Sequence, residues 1–469
     1  MSITKNISEL PCHPDPVTMK PDLDRAHEIF EQLADQYGKI FMVQFANQPM
    51  VVVSDAKLIN FVLCKRQELF GPYHRNSKIL EAIKSDGIEA ADDHDWKQQR
   101  EIIAASMESS HLNRYFENIK AVTEDLKNRW IAYGENLSKT DLEAEIFGFS
   151  ISVFTAIVFG DMADKPEDER ETAKNLLHNL LVILSKRIDA LLPQMHLESF
   201  TRDKDFDEQI KEVLIIIESL IAHNRNLLTD NNGTGKAANM LQVLIEIMEE
   251  KGVDIRNVKL IENILLILLA SEPTTADTLL RVLHYIGANP QVQKEIQDEV
   301  DAILGKCDII ENIKDIKKLR CIDAVIYESM RMSPVARFVL VEAKVDLLLD
   351  DIEIPCGTPL VLLIAYCAMD EENFHQAATF EHRRWCSESK EDFSHNNKAF
   401  LGFGAGPRSC PGRGLAMLVM KTVLAMICGN FQICLVSGKP VLDETVSKDK
   451  PFPLDFTVEI RGKNHDFEA

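Results

Sequence analysis

Phe403-Gly404-Ala405-Gly406-Pro407-Arg408-Ser409-Cys410-Pro411-Gly412-Arg413-Gly414 places one cysteine in a loop of glycine and proline, just ahead of an apolar helical run over residues 415–427. A phenylalanine stands seven residues before the cysteine and an arginine two before it. Glycines let a backbone approach a flat ligand closely. Amides at the start of the following helix can donate to sulfur and favour its anionic form. Arg408 is suited to pair with a carboxylate on a ligand. Read from the residues, this is a thiolate held for a metal, and a thiolate alone fits several metals.

The set Phe403, Gly406, Arg408, Cys410 and Gly412 resembles the haem-binding loop of the cytochrome P-450 family in spacing and type. The resemblance implies a mainly α fold with small β-sheets, in which a long central helix lies over a haem and a Cys-ligand loop. It implies haem b (iron protoporphyrin IX) as cofactor, with the Cys410 thiolate as axial ligand and Phe403 and Gly412 in the cofactor site. The activity implied is that of a monooxygenase that inserts one oxygen atom of O2 into a C–H or C=C bond of a small organic substrate.

The length fits one large domain or two to three average ones; no convincing linker divides the chain, and the resemblance leads us to expect residues 1–469 to form a single haem-thiolate domain with an extended segment over 1–22. Hydrophobic content of 45% and charged content of 27% are ordinary for a soluble globular protein. The net charge of −22 argues against a nucleic-acid partner. The ten cysteines are scattered without a CxxC pair, which points to a reducing, cytoplasmic setting. The first 20 residues carry no apolar segment, and the longest strongly apolar stretch, 264–270, is too short to span a bilayer. The expectation is therefore a soluble member without a membrane anchor.

Periodicity predicts an amphipathic helix over 23–38 and a strand pair over 40–53. From 95 to 305 the pattern is nearly all helical, with breaks at 229–236 and at Leu192-Pro193. Residues 257–287 read as one long buried helix. Short strands return between 339 and 364, with a strand pair beginning at 351–357, and again over 431–460.

Glu328 and Arg331 lie three apart, on one helix face. They resemble the family's Glu-x-x-Arg signature, and Phe380 to Trp385 resembles its Phe-x-Pro-x-Arg-Trp segment with His382 at the proline position. The resemblance implies that Arg384 joins Glu328 and Arg331 in a buried structural network. Trp96 and Arg100, four apart, share a helix face, and the resemblance implies that both bind haem propionates beside Arg408. Val341 stands where the family has another propionate arginine, and Arg337, four residues earlier, is the expected substitute.

Leu269-Ala270-Ser271-Glu272-Pro273-Thr274-Thr275 matches the place of the family's oxygen-activating motif but departs from it. Ala270 and Thr274 match, Pro273 replaces the acid, and Glu272 lies one residue early. The catalytic candidates are Thr274 and Glu272. Proline has no N–H for the Leu269 carbonyl, so a kink is expected.

No flavin or nicotinamide fingerprint is present, which calls for a separate electron donor such as a ferredoxin or a flavodoxin-type protein. Residues 393–442 contain no acid but include Lys398, Arg408, Arg413, Lys421 and Lys439, a composition suited to an acidic donor. Substrate choice is expected in 70–93 and 186–206, the second carrying an apolar stripe from Leu191 to Phe200. Loss of the acid beside Thr274 leaves two other readings open: a peroxide-using or peroxide-rearranging enzyme, and a non-catalytic haem-binding sensor.

Overall fold

The computed structural model describes residues 5–13, 26–45, 48–65, 68–73, 93–139, 141–160, 204–230, 239–253, 260–305, 307–386, 395–435 and 456–461. It is mostly helical with small sheets at the edge, as the sequence leads one to expect.

The sheet part is set by Val-rich segments that are apolar on both faces. Ile40–Phe45 pairs antiparallel with Gln48–Val53, which pairs parallel with Pro359–Leu362. Val339–Ala343 and Phe70–Pro72 complete five strands. Alternation sends Val51, Val53, Leu360 and Leu362 into one apolar cluster, and Met50, Val52 and Val361 into another. A sheet covered on both faces needs such near-continuous apolar runs. The small hairpin begins earlier than expected, at Leu347–Leu349, and Ile352–Ile354 is its second strand. Its turn holds Asp350 at φ 58°, a left-handed conformation that aspartate tolerates. Lys5–Asn6 adds a parallel edge, and Ile7–Glu9 forms a 3-10 turn in a segment expected to be extended.

The main core is helical. The central helix runs Leu260–Ala288 and carries Pro273 through without interruption. It packs on Leu142–Phe159, and the Cys-loop helix Arg413–Asn430 packs against both it and Ser109–Tyr133. Leu142–Phe159 and Arg413–Asn430 are long and apolar enough to cross a membrane by length and composition. In this fold they are core helices, 61% and 83% buried, and their apolar surface is spent on packing. The break expected at 229–236 starts later, because Lys204–Asp230 keeps Thr229 and Asp230 helical. The remainder of that loop, Leu192-Pro193 and the stripe from Leu191 to Phe200 lie outside the described residues.

What ties the helical core to the Cys-loop side is a buried ionic network. Glu328 and Arg331 sit on Arg320–Met332 with fully buried side chains. Arg331 Nε donates to Glu328 Oε2 at 2.9 Å and its Nη2 to Oε1 at 2.8 Å, a bidentate pair. Arg384, from the 3-10 turn His382–Trp385, donates to Oε1 at 3.0 Å. The Glu381 amide and the Trp385 indole add bonds of 2.9 Å each. Two arginines share one carboxylate, and the excess positive charge is met by carbonyls. Arg331 donates to Ala368 O and Ala377 O, and Arg384 to His375 O.

Removing the acid strands two buried guanidinium groups, which typically costs about 3–5 kcal/mol. Glu328→Gln is therefore expected to lower unfolding free energy by about that amount in a denaturant titration followed by far-UV circular dichroism. A loss below about 1 kcal/mol would show that the network contributes little.

Candidate active site

The Cys410 loop is held by its own backbone. The Cys410 amide donates to Phe403 O at 2.8 Å, closing the loop on itself. Gly404 and Gly406 turn the chain at φ 68° and 69°, where side-chain-bearing residues are strained. Gly406 also lies against the end of helix Ala56–Cys64: a Cβ there would meet Leu63 O at 2.3 Å and Cys64 Cα at 2.7 Å. Gly412 has a different task. It caps Arg413–Asn430 at φ −81°, and a Cβ there would meet only Cys410 Sγ and Met107 Sδ at 3.9 Å each. Its contribution is the N–H, which any residue supplies.

The amides of Gly412 and Arg413 donate to the Cys410 sulfur. Burial pushes the thiol up, while those two amides and the charges of Arg100 and Arg413 pull the other way. Arg413 stacks over Phe403 and Tyr327, 5.4 and 5.6 Å from their ring centroids, and donates to the Tyr327 hydroxyl at 2.8 Å. Phe400 and Tyr327 then connect the loop to Trp385 of the ionic network, with Phe400 and Trp385 ring centroids 5.0 Å apart.

Trp96 and Arg100 come from Asp93–Ser106, and both reach the loop. The Arg408 guanidinium lies 4.5 Å from the Trp96 ring centroid. Arg100 donates to the Ser409 carbonyl. Two arginines and an indole N–H thus gather at one side of the Cys410 loop, a donor set matched to carboxylates.

Opposed faces of the central helix differ sharply. Ala270 and Thr274, four apart, are exposed within a helix that is otherwise largely buried. The Thr274 hydroxyl donates to Ala270 O at 2.8 Å, and Thr278 donates to Thr274 O at 2.7 Å. Glu272 is not on that face. It is 4% exposed, its carbonyl accepts from Ser150 Oγ at 2.8 Å, and burial, with Asp277 adding to it, pushes its carboxyl up to about 7. A regular helix sets residues two apart about 200° round, so burial of Glu272 and exposure of Thr274 have one geometric cause.

Arg337 is placed by other partners. Its charge acts on Glu31 of Ala26–Tyr37 and on Arg281 of the central helix, and its carbonyl accepts from the Ala365 amide at 3.0 Å. Val341 is fully buried in the sheet core. The acid-free stretch resolves differently from its composition. Lys421 is buried and paired with Asp323 at 3.1 Å, and Arg408 turns onto Trp96, so neither lies on an exposed positive face. Arg413 and Lys398 are exposed, and Lys439 lies outside the described residues. Trp385 and the Glu381 amide are members of the network that sequence reasoning did not single out. The Trp that ends the Phe380 segment was the available signal.

A lone sulfur supported by two amides, carboxylate donors at one side, and an exposed Ala-Thr face in a buried helix together fit a haem-thiolate site. Comparison with known proteins agrees. The sequence model of the family described as Cytochrome P450 matches residues 19–454. Cytochrome P450 3A9 of Rattus norvegicus is 25% identical over 452 residues, covering 88% of this chain and 86% of that protein. Cytochrome P450 3A6 of Oryctolagus cuniculus is 24% identical over 447 residues, with 88% and 86% covered. A solved cytochrome P450, CYP102L1, superposes with a TM-score of 0.80 at 20% identity, covering 98% of this chain and 100% of that one.

Two outcomes follow from this geometry. Gly406→Ala meets a backbone carbonyl and a left-handed φ, and strain there alone costs about 1–3 kcal/mol. It is expected to lower the thermal midpoint and haem retention, whereas Gly412→Ala changes stability by less than about 1 kcal/mol; equal effects in a melting experiment would refute the distinction. The carboxyl of Glu272 rises from an ordinary 4.5 to about 7, so the folded chain holds a proton that the unfolded chain has released. Its effect is therefore absent below about 4.5 and grows into destabilisation as pH rises to about 7. The melting temperature of wild type should fall relative to Glu272→Gln across that window, and parallel profiles would contradict the assignment.

Proposed function

The chain belongs to the cytochrome P450 family, and on that premise we propose which residues perform its chemistry and on what class of molecule. Members bind haem b through a cysteine thiolate, and the enzyme is a monooxygenase of that type. When bound, the haem supplies activation of dioxygen and transfer of one oxygen atom to the substrate.

Cys410 holds the iron through Sγ, and the amides of Gly412 and Arg413 spread its negative charge. That hydrogen bonding is a lever on how strongly sulfur donates. Arg100, Arg408 and the Trp96 N–H would take the two carboxylates of the cofactor, and Phe403 would contribute to its site. Arg337 is the further arginine of this set, and its charge also acts on Glu31 and Arg281. Thr274 is the residue that holds a proton at Oγ1. Its O–H is committed to Ala270 O, so its lone pairs accept from a water or substrate hydroxyl on the exposed face. Pro273 contributes no N–H and no acid, so Thr274 must work through water where the family has a carboxylate neighbour. Glu272, buried on the far side, acts on stability and not on proton delivery.

The substrate is a small, apolar organic molecule, a reading supported by the apolar stripe from Leu191 to Phe200. Electrons come one at a time from a separate ferredoxin or flavodoxin-type donor, because the chain carries no flavin or nicotinamide fingerprint. Residues 1–469 act as one cytoplasmic domain, and among the described residues the two helices apolar enough to span a membrane serve as core helices. The single observation that carries the reading is the amide-supported sulfur of Cys410 beside Arg100, Arg408 and Trp96. Pro273 at the acid position favours a peroxide-using enzyme as the second reading.

The dithionite-reduced protein under carbon monoxide is expected to show a strongly red-shifted Soret band that Cys410→Ala abolishes. Thr274→Ala keeps that band and loses on the order of 10²-fold in donor-driven turnover, the share of a positioned proton-transfer group. Oxidation supported by peroxide but not by an electron donor would select the second reading. Absence of haem from folded, haem-supplemented protein would overturn the assignment.

A further inference from the structure

Three distant segments converge on an open surface cavity of about 970 Å³ that shares its wall with the Cys410 loop through Arg413, Tyr327 and Phe400. The helix Pro290–Leu304 brings Glu295, the first turn of Arg320–Met332 brings Cys321, and the 3-10 turn His382–Trp385 brings His382. We propose that Cys321, His382 and Glu295 form a binding site for one divalent transition-metal ion of the zinc class.

One donor atom from each of the three residues lies within 4.8 Å of the other two. Zinc bonds of about 2.0–2.3 Å in a tetrahedron require donors about 3.3–3.8 Å apart, so the donors here need to close by about 1 Å or less. His382 is buried, and its ring nitrogen lies 3.0 Å from Glu295 Oε2. A metal ion would take the place of the proton those two atoms share. Glu295 Oε1 is occupied by Arg383 at 2.5 Å, which orients the carboxylate and leaves Oε2 for the ion. The other ring nitrogen of His382 lies 4.0 Å from the Glu381 carboxylate, an outer partner of the kind that fixes ligand histidines. Glu299 is not a ligand. Its Oε1 accepts from the Arg320 and Cys321 amides at 2.7 and 2.8 Å and its Oε2 from the Ile322 amide at 3.3 Å, which caps the helix and fixes the position of Cys321. Thiolate, carboxylate and a divalent ion sum to zero charge, which suits a half-buried site. The fourth position falls to water or to Cys386, which lines the same cavity. A sulfur–nitrogen–oxygen set selects zinc-class ions over magnesium or calcium.

The site would be structural. Cys321 and Glu328 share one helix, and His382 stands two residues before Arg384, so the ion would clamp the two elements that carry the buried network. His382 occupies the position at which the family pattern has proline, so the site is a property of this chain.

The test uses the full-length, haem-loaded protein, stripped with a chelator and titrated with zinc against a chromogenic competitor, with iron counted as the internal measure of chain. One zinc per chain is expected, raising the thermal midpoint. Cys321→Ser and His382→Gln should each lose more than the roughly 10–100-fold typical of removing an outer partner, and should lose the thermal shift. Cys12→Ser, at an exposed thiol elsewhere, should change neither. The reduced carbon monoxide spectrum, unchanged in all variants, reports that they are folded. No stoichiometric zinc in wild type, or undiminished binding in the Cys321→Ser/His382→Gln double variant, would overturn the proposal.

Discussion

One carboxylate, Glu328, is the constraint on which the site depends. It lies at zero exposure and accepts from two guanidinium groups, an indole and a backbone amide. A lone charge at that depth would be costly, and the fold offsets it by bringing together residues more than 50 positions apart. Because breaking any one partnership leaves a buried charge, the turn around Trp385 has one acceptable position. Trp385, Phe400 and Tyr327 pass that position on as packed rings to the Cys410 loop. The network thus links the Glu328 carboxylate to the packing around the Cys410 loop.

The Cys410 loop itself is a balance of opposed terms. Burial disfavours the thiolate, while helix-start amides and nearby arginines favour it. A cationic metal completes that balance, which is why the donor set makes physical sense as a haem-thiolate site. Gly406 and Gly412, alike in the sequence pattern, serve different ends: one avoids a backbone collision, the other only caps a helix. Across from the loop, the central helix separates Thr274 from Glu272 by rotation alone, giving one an exposed hydroxyl and the other a buried carboxyl with raised affinity for its proton.

Where sequence reading succeeded, the signal was local. The strand pair at Ile40–Phe45 and Gln48–Val53, the long helix Leu260–Ala288 and the spacings of Glu328 with Arg331 and of Trp96 with Arg100 are all set within a few residues. Where it failed, the answer lay in a partner from elsewhere. Lys421 is neutralised by Asp323.

The amino-acid sequence by itself determined that one thiolate is offered to a metal, because donor type and loop glycines are properties of single residues; the family resemblance, and not the donor set, pointed to haem. It also determined which side chains share a face, because helix and strand periods act over a few residues. Only the tertiary structure decided that Arg408 lies over Trp96 and that Trp385 joins Glu328. It alone brought Cys321 beside His382 and Glu295. Burial, electrostatic field and ligand geometry depend on elements far apart in the chain, and no short window of sequence contains them.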